Sequence, residues 1–542
     1  MECAGATNSI VLGMPAKMAL TVQAWADKAA AFEKTHPTGL DLPQLVVPLA
    51  FAALKLGLHA LAVTNYGYFR DELYYIACSK HLAWGYVDQP PFSIAVLAGV
   101  RAVLGESLIA LRLLPALCGA ATVVLTGLVV TRLGGGRFAQ ALACLCAVVA
   151  PVWLAVDHFY SMNAFDTLFW SLAALLLLRA LDAGRPGTWV ALGVVLGLGL
   201  LNKTSMLWFG GAAALGLVLT GHRRTLLTPW PWVAGAIAAL CVLPHVAWQV
   251  QTGWPTIEFM RNAAGSKMVR TGFVAFWSQQ LLVMSPATVP VWLIGLVALL
   301  ASRRARILGI VFVAVAALLL ASGSSRPNYL AVAYAPLFAA GGMAIERASS
   351  ARRRAWLRPV ALAGVTLVGA PVVPLGLPLL PVDRQVAYTG ALGLRPRAQE
   401  RTREGDLPQV FADMFGWEDL ARRVARVYHA LPAGQRAKCA IVANNYGEAG
   451  AIDFFGPRYG LPPAISPHNN YWLWGPGGAT GEVLIIVGGS RNEQHADFRS
   501  VVLADTTKCD HCMPFENGAP IFVCLGLNQP LARRWAQIRT YR

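Results

Sequence analysis

The sequence predicts a polytopic α-helical membrane protein with a soluble α/β domain at its C-terminal end. Three observations carry that prediction. Of 542 residues, 56% are hydrophobic and only 13% charged, about half the charged share of an ordinary soluble protein. With a mean hydropathy of +0.51, polar surface is too scarce to cover a soluble chain of this length, so a bilayer must supply the missing solvent. Apolar stretches long enough to cross a hydrocarbon core of about 30 Å recur along the first two thirds of the chain, and after residue 380 the composition turns abruptly charged and polar. A net charge of +17 with a pI near 9.7 would point to nucleic acid in a soluble protein. Here the basic residues fall in short clusters between apolar runs and read as topology signals.

Residues 1–42 lack the charged start, apolar centre and small-residue cleavage site of a signal peptide and are expected to form a cytoplasmic amphipathic segment. About eleven spans follow, near residues 43–63, 108–130, 138–156, 164–181, 188–201, 205–221, 230–250, 274–300, 307–322, 328–345 and 359–380. Arg132 and Arg137, Arg179 and Arg185, Arg223 and Arg224, the run from Arg303 to Arg306, and the cluster from Arg347 to Arg358 occupy every second connection, which marks those connections as cytoplasmic. The other connections are then external. One of them, residues 251–272, carries Arg261, Lys267 and Arg270 against this rule and calls for a reason. The stretch 91–104 is too short to span and is expected to lie along the interface.

The span region 43–380 is thus one domain and the tail 381–542 a second, external one. Prolines from Pro371 to Pro381 suit a helix end and a stiff exit from the membrane. In the tail, residues 416–431 put Leu420, Val424, Val427 and Leu431 on one helical face, and short apolar runs at 439–443, 483–487 and 521–525 read as buried strands. Of ten cysteines, Cys118, Cys144, Cys146 and Cys241 fall in spans and read as small core residues. Cys439, Cys509, Cys512 and Cys524 lie in the tail as disulfides or free thiols, or, for Cys509 and Cys512 with His511, as zinc ligands.

Ionisable residues at membrane depth are costly and default to functional candidates. The first external loop, 65–93, is rich in aromatic residues and places Asp71 and Glu72 side by side. Adjacent carboxylates on a helix cannot face one partner, so one is the candidate catalytic group and the other is structural. A second acidic loop, 157–170, holds Asp157, His158 and Asp166. Asp166 could cap the following span, and Asp157 with His158 could cap or, together with Asp71, bind a divalent metal. Lys203, between two apolar runs, and Arg326, at an external span start, add cations to the same side. Carboxylates beside cations suit a substrate with a hydroxyl to deprotonate and an anionic phosphate to hold.

The segments RDELYY and HLAWGYVDQPP, then FYSMNAFDTLFW, a lysine between the fifth and sixth spans, and RPNYLAVAYAPL near the last spans resemble the bacterial members of glycosyltransferase family 39. These are protein O-mannosyltransferase-like GT-C glycosyltransferases related to the aminoarabinose transferase of lipid A. The tail segments ADMFGWEDLA and NNYGEAGAIDFFG are similar to the same group. The resemblance implies a GT-C fold in an inner membrane, a polyprenyl-phosphate sugar donor, a periplasmic active site and an essential aspartate in the first external loop. By that resemblance Asp71 matches the catalytic aspartate and Asp166 or Asp157 the second aspartate. Lys203, and Arg326 with Tyr329, match positions that hold the lipid phosphate. The tail lacks the tandem β-trefoil insertion of eukaryotic protein mannosyltransferases, which counts against a protein acceptor; lipopolysaccharide, another envelope glycan and a protein are the acceptors used by relatives. A secondary transporter or lipid flippase is the alternative, but it predicts two repeated halves and midplane charges, whereas no repeat is visible and the charges sit at one face. A scaffold with an external binding domain leaves the buried charges unexplained.

Overall fold

The computed structural model describes residues 42–323, 326–394 and 400–542; the expected N-terminal segment before Leu42 lies outside them. Each expected span falls on an apolar helix or a bent pair of helices. Among the described residues, five helices are long and apolar enough to cross a membrane by themselves: Leu42–Ala62 (α1), Leu108–Arg132, Met162–Asp182, Trp230–Gln251 and Arg352–Leu375. The number rises to seven if the pairs Phe273–Val283 with Pro286–Ala301, bent by 95°, and Pro327–Ala333 with Ala335–Ala348, bent by 59°, count as one span each. Shorter apolar helices at Arg137–Val148, Pro186–Asn202, Met206–Leu219 and Arg306–Ser322 take the remaining expected positions.

The breaks have local causes. The run 138–156 stops at Val148 and restarts at Pro151, because Ala150 before the proline is held extended at φ −75° and ψ 109°. The run 274–300 turns at Ser285, which sits at φ 72° ahead of Pro286. Two helices rise directly from the candidate loops. Arg70–Lys80 (α2) starts where the Glu72 side chain reaches back to the Phe69 backbone N–H, and Met162–Ala183 starts on Ser161, whose side chain accepts from the Asn163 N–H. Phe92–Leu104 forms the expected short helix, with Val103 and Leu104 exposed at its end.

The tail builds a five-stranded sheet of order β2-β1-β3-β5-β4 from Cys439–Ala443 (β1), Ala464–Ile465 (β2), Val483–Val487 (β3), Phe498–Thr506 (β4) and Pro520–Leu527 (β5). Strands β1 and β3 pair in parallel, and β5 runs antiparallel to both β3 and β4. The three apolar runs read from sequence are β1, β3 and the centre of β5. Strand β4 carries a shorter apolar run, 501–504, that the sequence reading passed over; it lies at the sheet edge with Val502 and Leu503 exposed. The helix Trp417–Ala430 buries Leu420, Ala421, Val424, Ala425 and Val427, the face its spacing predicts. Cys439, Cys509, Cys512 and Cys524 are free thiols.

The tail has its own sheet, yet it shares a core with the helical part. One continuous cluster of buried side chains runs from Leu73 and Tyr74 to Ile452, Tyr471 and Ile485. The helix Tyr446–Phe455 lies against α2, and glycines permit the approach. A Cβ on Gly450 would stand 2.9 Å from the Leu73 backbone, and one on Gly447 would meet the Arg70 side chain.

Candidate active site

Helix α2 separates the adjacent acids by rotation. Glu72 is fully buried and spends both oxygens on structure. They accept from the Phe69 and Tyr160 backbone N–H groups at 2.8 and 2.9 Å and pair with Arg112 at 3.3 Å. Arg112 in turn donates to the Val63 and Gly67 carbonyls, so this ion pair ties the first loop to the bundle. Of the two adjacent candidates, Glu72 is the cap and anchor. With no lone pair turned to solvent, it has no route to a substrate.

Asp71, one turn-position away, keeps a third of its side chain exposed. The Tyr446 hydroxyl donates to its Oδ1 at 3.0 Å, and Arg70 Nε lies 3.7 Å from the same oxygen. Arg70 also pairs with Asp413 at 3.5 Å and stands over the Tyr446 ring. Burial pushes the Asp413 carboxyl up to about 6 despite that cation. Lys267 and Arg326 are close enough to Asp71 to feel its charge, and both pair with Glu400, Lys267 at 3.4 Å. The Arg70 and Arg326 Nε–H groups are buried and find no acceptor among the described residues. One accessible carboxylate thus has Arg70 beside it, with Lys267 and Arg326 in the same charged neighbourhood.

A second group adjoins the first through Tyr329. The Lys203 ammonium stands 5.2 Å over the Tyr329 ring, donates to Asn163 at 2.8 Å and pairs with Asp166 at 3.2 Å. Asp166 is buried and also accepts from Ser205 at 2.6 Å. The Tyr329 backbone N–H donates to the Arg326 carbonyl, which links the two groups.

Asp157 and His158, read from sequence as caps, metal ligands or substrate-binding residues, find side-chain partners within the bundle. Asp157 pairs with Lys55 of α1 at 2.6 Å, both of them buried. His158 meets Arg112 at 3.2 Å and stacks on His59. Both are turned into the bundle because the apolar helices leave no other partner for them. For the metal left open between Asp71 and Asp157, no group of three or more His, Cys, Asp or Glu side chains that could hold an ion is found among the described residues. That also holds for Cys509, His511 and Cys512; the Cys512 thiol donates to the Cys509 carbonyl at 3.3 Å instead.

The sequence reading missed Arg70, Lys267, Glu400, Asp413 and Tyr446. The basic loop 251–272, out of place for its side of the membrane, was the signal for Lys267. Glu400 has no signal in the sequence, since only the fold brings it to Arg326.

Among solved structures, the chain is similar to ArnT from Cupriavidus metallidurans bound to undecaprenyl phosphate, at 15% identity over 88% of this chain and 97% of that one, with a TM-score of 0.59. The same protein in the apo state gives 17% identity, the same coverage and a TM-score of 0.56. At these identities the likeness is one of fold, and it extends through both the helical part and the tail. The fold they share with this chain is the GT-C fold, several apolar helices followed by a small C-terminal sheet domain. Residues 88–248 match the family model described as dolichyl-phosphate-mannose-protein mannosyltransferase, which covers the first-loop DQPP, the second acidic loop and Lys203. No curated protein sequence matches significantly.

Proposed function

We propose that the protein transfers a sugar from a polyprenyl-phosphate-linked donor to a hydroxyl of an envelope acceptor, lipopolysaccharide, another glycan or a protein, at the periplasmic face of the inner membrane. The observation that carries this reading is the accessible Asp71 carboxylate beside Arg70, Lys267 and Arg326. A base and an anion clamp at one place are what this reaction needs. A sugar on a lipid phosphate already has a good leaving group, so strong acid catalysis at the departing oxygen is unnecessary.

In one inverting step the acceptor oxygen bonds to the anomeric carbon, the bond from that carbon to the phosphate oxygen breaks, and the acceptor proton passes to Asp71. Tyr446 fixes one Asp71 oxygen and leaves the other for that proton. The electron pair of the broken bond stays on the departing lipid phosphate, whose growing charge Arg326, Lys267 and Lys203 stabilise. Tyr329 holds Lys203 and Arg326 on a common wall.

The test is transfer from a polyprenyl-phosphate sugar in membranes containing the protein or its Asp71→Asn variant. Asp71→Asn keeps size and removes the base, so transfer is abolished while the protein still folds and inserts; near-normal turnover would remove Asp71 from this role. Mass spectrometry of envelope glycolipids with and without the gene identifies the acceptor and the sugar.

A further inference from the structure

Glu400 is buried among the cations that the proposed reaction needs. Its carboxylate pairs with Arg326 and with Lys267 at 3.4 Å, and only 4% of the residue is exposed. Burial raises its carboxyl, but Lys267, Arg326 and Arg70 outweigh that and hold it below the ordinary glutamate value. The backbone fixes it there: Glu400 bridges Met268 in antiparallel fashion, and the Arg401 N–H donates to the Lys267 carbonyl at 2.8 Å. This pairing also gives the basic loop 251–272 its reason.

Arg70 is already paired with Asp413, so Glu400 is the acid facing Lys267 and Arg326 directly. Two half-buried cations left without a counter-ion would be costly. The same two side chains are the ones that a donor phosphate would have to reach. A carboxylate and a phosphate cannot both take the Arg326 fork at full strength.

We propose that Glu400 is a resident counter-anion: its carboxylate occupies the phosphate position of the free site, gives way when the donor phosphate binds, and returns to help expel the lipid phosphate. This rests on the reading of the cation cluster as the donor phosphate site. The return matters because the donor diester carries one negative charge, whereas a phosphate monoester carries about −1.5 to −2 near neutral pH. The product therefore holds the cations more tightly than the donor does, and a competing carboxylate shortens its stay.

The experiment measures binding of undecaprenyl phosphate to the full-length protein in detergent, for the wild type and for Glu400→Gln, Glu400→Ala, Lys267→Ala and Arg326→Ala. Removal of the competing charge is expected to tighten binding about tenfold in both Glu400 variants, while each cation variant weakens it by about the same factor. Weaker or unchanged binding in Glu400 variants that melt like the wild type, with the cation variants still weakened, would overturn the counter-anion and leave the phosphate site standing. Unchanged binding in the cation variants would overturn the phosphate site itself, and the counter-anion with it. A measurement on the unaltered chain needs no variant to fold: carbodiimide labelling of Glu400, read by peptide mass spectrometry, should rise when undecaprenyl phosphate is added. Labelling that stays level or falls would overturn displacement.

Discussion

Tyr446 and Asp71 are 375 positions apart in the chain, and the Tyr446 hydroxyl donates to Asp71 Oδ1 at 3.0 Å. The tail is therefore part of the candidate site and completes it. Tyr446→Phe should lower kcat about tenfold, the low end for a hydrogen bond to a charged group because Asp71 is partly exposed. Donor KM and the melting temperature should stay near wild type. A change in KM or stability alone would make Tyr446 a packing residue.

The neighbouring acids should part in their phenotypes. Asp71→Asn is expected to be inactive and stable. Glu72→Gln removes one charge of a buried ion pair and leaves Arg112 uncompensated, a loss of about 3–5 kcal/mol. Thermal unfolding of the two purified variants checks this, and equal stability would show that the Arg112 pair is not holding the loop.

Lys203 and Arg326 should each matter for the donor. Alanine at either position is expected to cost about ten- to a hundredfold in donor binding or turnover, from charge-assisted hydrogen bonds of roughly 1.5–3 kcal/mol. Because Lys203 also neutralises buried Asp166, the Lys203→Ala measurement belongs in a double-mutant cycle with Asp166→Asn. Unchanged donor kinetics in both cation variants would reduce these residues to structural anchors.

Glu448 and Glu516 face each other inside the tail. Burial raises both carboxyls, Glu448 further through the charge of Glu516, and Glu516 from 4.5 up to about 7 even though its hydrogen bond with Glu448 lowers it. The folded state then holds a proton that the unfolded chain releases, so this contribution to stability is full below about pH 4.5 and is lost as pH rises to about 7. Between pH 5 and 7.5 the melting temperature of the wild type should fall relative to that of Glu516→Gln, which has no proton to lose at this position. Parallel curves would mean that the pair does not share a raised carboxyl.

Residues 466–478 place Tyr471, Trp472 and Trp474 beside Asn469 and Asn470, a mixture that can stack on the sugar rings of an acceptor or simply pack. The Trp472 indole N–H donates to the Trp535 carbonyl at 2.8 Å, the Trp535 indole N–H donates to the Trp472 carbonyl at 3.1 Å, and Trp474 stacks on His81 with ring centroids 4.3 Å apart. Alanine at Trp472 and Trp474 should therefore reduce transfer to the acceptor and hydrolysis of the donor by water equally. A selective loss of transfer would restore the acceptor role.

The sequence by itself determined the solvent of each part and the place of most helices, because a segment that crosses a bilayer must be apolar along its whole length and a tail in water must not be. It also marked Asp71, whose adjacency to Glu72 guarantees that one of them turns away. What it could not determine is which ionisable residues meet. Asp157 and Asp166 stand in one loop with similar surroundings in sequence, yet one closes on Lys55 inside the bundle and the other on Lys203 beside the site. Arg70, Tyr446, Lys267, Arg326 and Glu400 come from five separate segments. Charge pairing in a low-dielectric interior depends on ångström distances, and those are set only when the tail docks through Gly447 and Gly450 onto the first-loop helix.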